Sequence, residues 1–458
     1  MKKLIVLVLA VIATSCNQAQ ENRISGDLLV RNINLINVNN GAVIPAQSIV
    51  IDSGRIKLIS DVQLNAANFN ESIDGTGKYV IPGLAEMHAH IPPATTSAER
   101  MEETLFLYLS NGITTIRGML GAPIHLELRE KVKSGETLGP RIFTSSPSMN
   151  GLTVTSEEEA IAKVKAYKKD GYDFLKIHPG IRRPVFDALA KTAHEVNIPF
   201  AGHVPVNVGI EHALKSNFAT IDHIDGFLEG LVPESKNLNP ADNGFFGYNF
   251  TQHADTTKIA DLVALSKEHK VWIVPTQSLF ERWFAPIPAD TLLQQPEMKY
   301  MPTTTLNQWR DIKISTTGPE SGFDTSQWEK FISIRKQLLK SLQENGLGIL
   351  LGSDAPQLYN VPGFSIHHEI AGMERAGLTP LEILQSGTIN PARYLELTDE
   401  FGDLKEGLAA DMVVLDANPL ENLENLKQIT AVIVQGKVID KQAIDTKLAS
   451  IADHAAQN

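Results

Sequence analysis

The residue pair best suited to chemistry in this chain is His88 and His90. They close the apolar run Val80-Ile81-Pro82-Gly83-Leu84-Ala85-Glu86-Met87. The run is short and bounded by turn signals, so it reads as a strand. Side chains alternate across a strand, which puts both imidazoles on one face at its end. Two such imidazoles can hold one divalent cation, although H-x-H alone is a weak signal. Other residues of suitable type follow later apolar runs: Lys176, His203, His223 and Asp354. Each has an ordinary reading. A lone lysine at a strand end is a solvated charge, and a lone histidine is a hydrogen-bonded structural residue. Asp354, within Gly352-Ser353-Asp354-Ala355-Pro356, is a helix cap or a turn. Four imidazoles, a carboxylate and a lysine at matching positions are harder to reach by chance.

The elements that would position them lie between residues 80 and 400. Strand-like runs at 80–87, 113–117, 141–145, 173–177, 198–203, 219–223, 271–276 and 347–354 alternate with helix-period segments. Clear helices are read at 156–170, 184–196, 257–269 and 326–345, the first opening on Ser156 with Glu159 and closing before Gly171. Roughly 320 residues holding eight such units predict an α/β fold, a (β/α)8 TIM barrel with insertions. A doubly wound sheet is the alternative, but it does not gather strand ends round one centre. In a barrel, function sits at the C-terminal strand ends. Those positions hold His88 and His90 on the first strand, Lys176 on the fourth, His203 on the fifth, His223 on the sixth and Asp354 on the eighth.

Both chain ends have a different texture. Short β-rich runs at 28–38, 48–52 and 55–59 are split by Asn39-Asn40-Gly41 and Ser53-Gly54, and runs at 411–415, 429–434 and 437–439 are split by Gln435-Gly436. Gly436-Lys437-Val438-Ile439 echoes Ser53-Gly54-Arg55-Ile56. Neither end is long enough to bury a core alone. The expectation is one composite β-sandwich from 25–79 and 401–447, the barrel domain at 80–400 between them, and a tail at 448–458.

The chain has 458 residues and a formal charge of −12. That balance, with no basic run, argues against nucleic acid and anionic membrane as partners. Cys16 is the single cysteine, which excludes a disulfide within the chain and a cysteine zinc site. Met1-Lys2-Lys3, an apolar stretch at 4–13 and then Thr14-Ser15-Cys16 read as an export signal, too short to span a membrane. Its small residues before cysteine resemble a bacterial lipoprotein signal at 1–16. That implies lipidation of Cys16, a polar tether at 17–24, and a protein held to the membrane only by lipid, facing the periplasm or cell surface. The alternative is an ordinary signal peptide cut near Ala13 or Ser15, releasing an exported protein with a free thiol. An oligomer is compatible with all of this.

Several ordered motifs carry a wider resemblance. They are Pro82-Gly83-Leu84 leading into His88-Ala89-His90, Asp173-Phe174-Leu175-Lys176-Ile177, Gly202-His203, Asp222-His223, Gly352-Ser353-Asp354-Ala355, Gly377-Leu378-Thr379-Pro380 and Ala410-Asp411-Met412-Val413-Val414-Leu415. This set resembles the amidohydrolase superfamily, in the branch of imidazolonepropionase-like and Xaa-Pro dipeptidase-like proteins. It covers nearly all of the chain after Arg23. The resemblance implies a metal-dependent hydrolase with two divalent cations, zinc first, with manganese, cobalt or iron as alternatives. By it, His88, His90 and Asp354 hold the more buried cation and His203 and His223 the outer one. Lys176, N-carboxylated, bridges both. A shared hydroxide attacks the substrate carbonyl, and Asp354 moves the proton to the leaving nitrogen. Free lysine is protonated below about pH 10, and burial beside two cations lowers that value enough for carboxylation.

The chain also departs from the family pattern. Glu86 stands where relatives often have aspartate, and it is expected to hydrogen-bond a ligand histidine from below. Gly118 follows Arg117 where relatives often have aspartate. Ser148-Met149-Asn150-Gly151 lacks the histidine common in that loop. His178, two residues past Lys176, points the same way. It reads either as a substrate contact or as a structural hydrogen bond. Arg117 has a similar choice, with a substrate carboxylate as its functional partner. His367, His368 and the remaining histidines read as structural. Long connections at 226–255 and 278–325 carry aromatic residues, Phe245, Phe246 and Trp283 among them. These either anchor the loops or wall an apolar pocket.

The leading function is hydrolysis of a C–N bond in a small amide or peptide, a dipeptide or N-acyl amino acid. Alternatives are a cyclic amide, a deaminated base, a lactone or a phosphotriester. The non-enzymatic alternative is a surface lipoprotein that captures metal or ligand.

Overall fold

Gly83 divides the strand expected at 80–87 into two pieces serving different sheets. The computed structural model describes residues 24–457, so the readings on Cys16 and the leader lie outside the described residues. β1 (Gly26–Ile36), β2 (Val43–Asp52), β3 (Arg55–Ser60), β4 (Phe69–Asp74) and β5 (Tyr79–Pro82) come from the N-terminal end. The barrel strands are β6 (Leu84–Ala89), β7 (Ile113–Gly118), β8 (Arg141–Met149), β9 (Phe174–Ile177), β10 (Phe200–Gly202), β11 (Thr220–Asp222) and β12 (Trp272–Val274). β13 (Met412–Leu415), β14 (Ile429–Val434) and β15 (Lys437–Asp440) come from the C-terminal end.

The break has a local cause. Gly83 donates its N–H to Asp411 O at 2.9 Å, while Leu84 donates to Gly112 O at 2.9 Å. A Cβ at Gly83 would lie 2.0 Å from Thr114 Oγ1, so only glycine fits where the two sheets meet.

The chain ends form one mixed sheet in the order β15-β14-β13-β5-β1-β2-β3, with β4 also on β1. β5 pairs with β1 on one side and β13 on the other, so the expected sandwich is a single eight-stranded sheet. The echoed hairpin turns meet in space. Ala410 donates to Gly54 O at 2.9 Å and Gly436 to Ala410 O at 3.3 Å. Ser53, Gly54, Gln435 and Gly436 all take positive φ, as tight two-residue hairpins require. Leu28, Val30, Ile49, Ile51, Met412, Val414 and Ile433 form the core of this sheet.

β6 to β12 make a parallel sheet in chain order. The eighth position belongs to the chain around 347–355, which pairs through isolated bridges, Ile273 with Ile349 and Ala89 with Ala355. Leu350 N–H to Ile273 O at 2.9 Å and Met87 N–H to Leu351 O at 2.8 Å close the ring. The fold is therefore a TIM barrel, with a less regular eighth strand than expected.

The helices expected between strands are present, Glu157–Asp170 capped by Ser156 and ended by Gly171 at φ 89. The long connections hold helical segments, including the kinked 3-10 stretch Phe245–His253 and the fifteen-residue helix Thr303–Thr317. The expected tail lies mostly in the helix Lys441–Ala455, which buries Ile444, Ile451 and Ala455. Among the described residues, no helix is long and apolar enough to cross a membrane.

Candidate metal centre

Six side chains expected at strand ends meet at one mouth of the barrel. On β6, alternation aims His88 and the following His90 the same way. His90 Nε2 lies 2.6 Å from Asp354 Oδ1 and His88 Nε2 lies 3.4 Å from the same oxygen. One ligand atom from each of these three residues falls within 4.8 Å of the others. The His88 ring stands 4.5 Å from that of His223, which stands 4.6 Å from His203.

Lys176 is the least expected neighbour in physical terms. It is 0% exposed, and its Nζ has no hydrogen-bond partner. Burial pulls its ammonium down to about 8, against the pull of Asp222 and Asp354. A buried amine without a partner is costly unless another group completes it. Gly202 leaves the room for it, since a Cβ there would sit 3.2 Å from Lys176 Cδ. A lysine that can shed its proton, four imidazoles and a carboxylate form a donor set suited to divalent cations.

The ligand rings are held by partners that carry their own support. Asp222 Oδ2 faces His88 Nδ1 at 3.1 Å, close but without the alignment of a hydrogen bond. Asp225 Oδ2 lies 3.0 Å from His203 Nδ1, and Thr276 Oγ1 2.8 Å from His223 Nδ1. Such partners set ring orientation and tautomer. His223 and Asp354 both sit at φ 65, a left-handed backbone that turns each strand end sharply into the mouth. Arg335, over the Phe280 ring, donates to His223 O at 2.7 Å and Pro275 O at 3.0 Å. Strand-end position alone pointed to neither Asp225 nor Arg335. Asp222 and Asp225 flank His223 in sequence, which was the available signal.

Glu86 does hydrogen-bond a ligand histidine, through the backbone of His88 and not its ring. Its Oε1 accepts the N–H groups of His88 at 3.1 Å and Ser353 at 2.7 Å, and its Oε2 accepts Ser353 Oγ at 2.7 Å. It ties the first strand to the eighth, and burial pushes its carboxyl up to about 8. Of the two readings of Arg117, the structure displays the hydrogen-bonded one. It is fully buried and donates to Met87 O at 2.7 Å, Tyr394 Oη at 3.0 Å and Asp222 Oδ1 at 3.2 Å. The inward side of β7 leads into the barrel core, and the carboxylate it meets is the chain's own.

His178 borders the site, its ring 5.1 Å from His203 and its Nδ1 2.6 Å from Ser148 Oγ. Burial, with Lys176 nearby, holds it neutral by drawing its pKa down to about 2. Phe246 lies 5.3 Å from His223 and 5.7 Å from His203, at φ 50, packed on Phe245 and Phe280. His367 and His368 bond Asn111 and Glu297, as structural histidines do.

The sequence profile of the Amidohydrolase family matches residues 79–439. The chain belongs to the amidohydrolase family. The resemblance read from its motifs is thereby borne out, and with it a hydrolase of a metal-dependent family. This family member is 21% identical over 432 residues to an adenine deaminase of Clostridium botulinum, which covers 92% of the chain but only 58% of that enzyme. It is 22% identical over 405 residues to ochratoxinase of Aspergillus niger, covering 77% of the chain and 73% of the relative. Bottromycin amidohydrolase superposes with a TM-score of 0.69 at 20% identity, over 95% of this chain and 92% of that one. A Xaa-Pro dipeptidase with bound methionine gives 0.65 at 20% identity, over 90% and 99%. These likenesses show a shared fold.

Proposed function

We propose that this amidohydrolase cleaves the C–N bond of a dipeptide or N-acyl amino acid at a centre for two divalent cations. The unpartnered amine of Lys176, buried beside Asp222 and Asp354, carries this reading. His88, His90 and Asp354 would hold one cation, His203 and His223 the other, and Lys176 both once carboxylated. Zinc is the first candidate. Bound there, the cations would lower the pKa of a water toward 7 and polarise a carbonyl.

The chain's own groups do the rest. Asp354, 4% exposed, accepts the proton of the attacking water and returns it to the leaving nitrogen. Asp222, Asp225 and Thr276 keep three imidazoles in place while that happens. Phe246 covers the imidazoles of His203 and His223, shields the reaction from water and favours a substrate with an apolar side chain. Amide-bond chemistry in the names of bottromycin amidohydrolase and the Xaa-Pro dipeptidase supports the substrate class.

Metal analysis and a library of dipeptides and N-acyl amino acids test the proposal. Two equivalents of metal are expected, with turnover abolished by chelator. One equivalent or none, or release of ammonia from a base and no amide cleavage, would sink it. In Asp354→Asn, kcat should fall about 10³-fold with metal retained. Wild-type turnover in that variant would remove Asp354 as the proton carrier. Lipidation of Cys16 is proposed alongside, and Cys16→Ala should then move the protein from the membrane to the soluble fraction.

A further inference from the structure

One polar chain beside the centre is not used by the chemistry above. It runs from Asn150 through Ser148 to His178. Asn150 Oδ1 accepts the backbone N–H groups of Leu152 at 2.8 Å and Thr153 at 3.0 Å. Its Nδ2 is therefore the end turned to Ser148, donating to Oγ at 2.9 Å. The hydroxyl takes that proton on one of its two lone pairs, and its own O–H has a single acceptor within reach among the described residues, His178 Nδ1 at 2.6 Å, so donation to that nitrogen is the arrangement that leaves no hydroxyl proton unused. A neutral imidazole that accepts at Nδ1 carries its proton on Nε2. Nε2 has no partner among the described residues and is not sealed from solvent.

The support is stiff. His178 N–H donates to Met149 O at 2.8 Å and Gly151 N–H to Pro179 O at 3.2 Å, so the segments after β8 and β9 are bonded to each other. A Cβ at Gly151 would lie 2.3 Å from Gly180 O, which keeps the two segments close only with glycine there. The result is a single oriented N–H beside the His203 ring. A lone neutral donor suits one oxygen. A carboxylate would call for a second donor or a cation, and Arg117 is committed inside the barrel.

We propose that His178 donates its Nε2–H to the oxygen of the scissile carbonyl and stabilises the negative charge that gathers there, with Ser148 and Asn150 as positioning residues that fix its tautomer. This rests on the amide-hydrolase reading of the same site. An oriented donor at a developing oxyanion acts on kcat more than on KM.

Histidine ¹⁵N NMR reads the tautomer without reference to activity. The His178 signal is assigned by its loss in His178→Phe. In wild type, Nδ1 should be unprotonated and Nε2 protonated, and Ser148→Ala should mix the tautomers. A proton on Nδ1 in wild type overturns the proposal. With the best cleaved amide, His178→Phe should lower kcat about 10²-fold, change KM less than threefold and keep its metal. His178→Gln, which can still offer an N–H, should recover about tenfold. A kcat within twofold of wild type in His178→Phe, or an effect confined to KM, overturns it. If the library yields no substrate, the amide reading fails by itself, and methylphosphonate binding to the zinc-loaded protein replaces the kinetic test. His178→Phe should then bind about tenfold more weakly, and equal affinity overturns the role.

Discussion

Lys176 is kept where a charged amine is least stable, and its behaviour should show it. Its ammonium is drawn from the ordinary 10.5 to about 8, so the neutral amine needed for carboxylation reaches half of the molecules near that pH and keeps growing above it. At fixed carbon dioxide pressure, loading of the metal-free chain with zinc should be faster at pH 8.5 than at pH 7. The same shift means that the unfolded chain binds more protons between about 8 and 10.5. This group's contribution to metal-free stability therefore rises with pH across that window. Loading that is independent of pH would separate Lys176 from metal uptake. Arg117 makes the opposite kind of prediction. Arg117→Met would leave Asp222 buried without its cation, and should cost about 3–5 kcal/mol in urea unfolding. The carboxylate facing the His88 ring would lose its anchor, so zinc affinity should fall about 10-fold or more.

The elements explain which of these features were legible beforehand. Period-two alternation and strand ends are local, so His88, His90, Lys176, His203, His223 and Asp354 could be placed in advance. The division at Gly83 could not, because residues on both sides are buried and the pattern stays apolar through it. Gly83→Ala should cost about 1–3 kcal/mol in thermal or urea melts, since Thr114 has to yield. An unchanged melt would mean that the two sheets are joined loosely. Phe246 was visible as a loop aromatic and nothing more. Its position over the imidazoles depends on two successive left-handed residues, Phe246 and Gly247, which no periodicity encodes.

At the scale of the molecule, the proposed ligands come from five strands, and the last of them closes the ring through isolated bridges. Cations bound across that closure would hold the segment around 347–355 against β6. Metal at 100 times its dissociation constant contributes about 2.7 kcal/mol per site. Chelation should therefore lower the melting temperature, zinc should restore it, and hydrogen exchange around 347–355 should quicken first. A melting temperature indifferent to chelator would count against a metal-bound native state.

The order of residue types along the chain determined the barrel, the joining of both ends in one small β-domain and the identity of the convergent side chains. These depend on local alternation and on the length of each unit. Only the tertiary structure decided what the polar groups behind them do. Arg117 serves Asp222 from 105 residues away and Glu86 reaches Ser353 across 267. Such partners are chosen when the ring closes, because a buried charge takes whichever complementary group the packing brings to it.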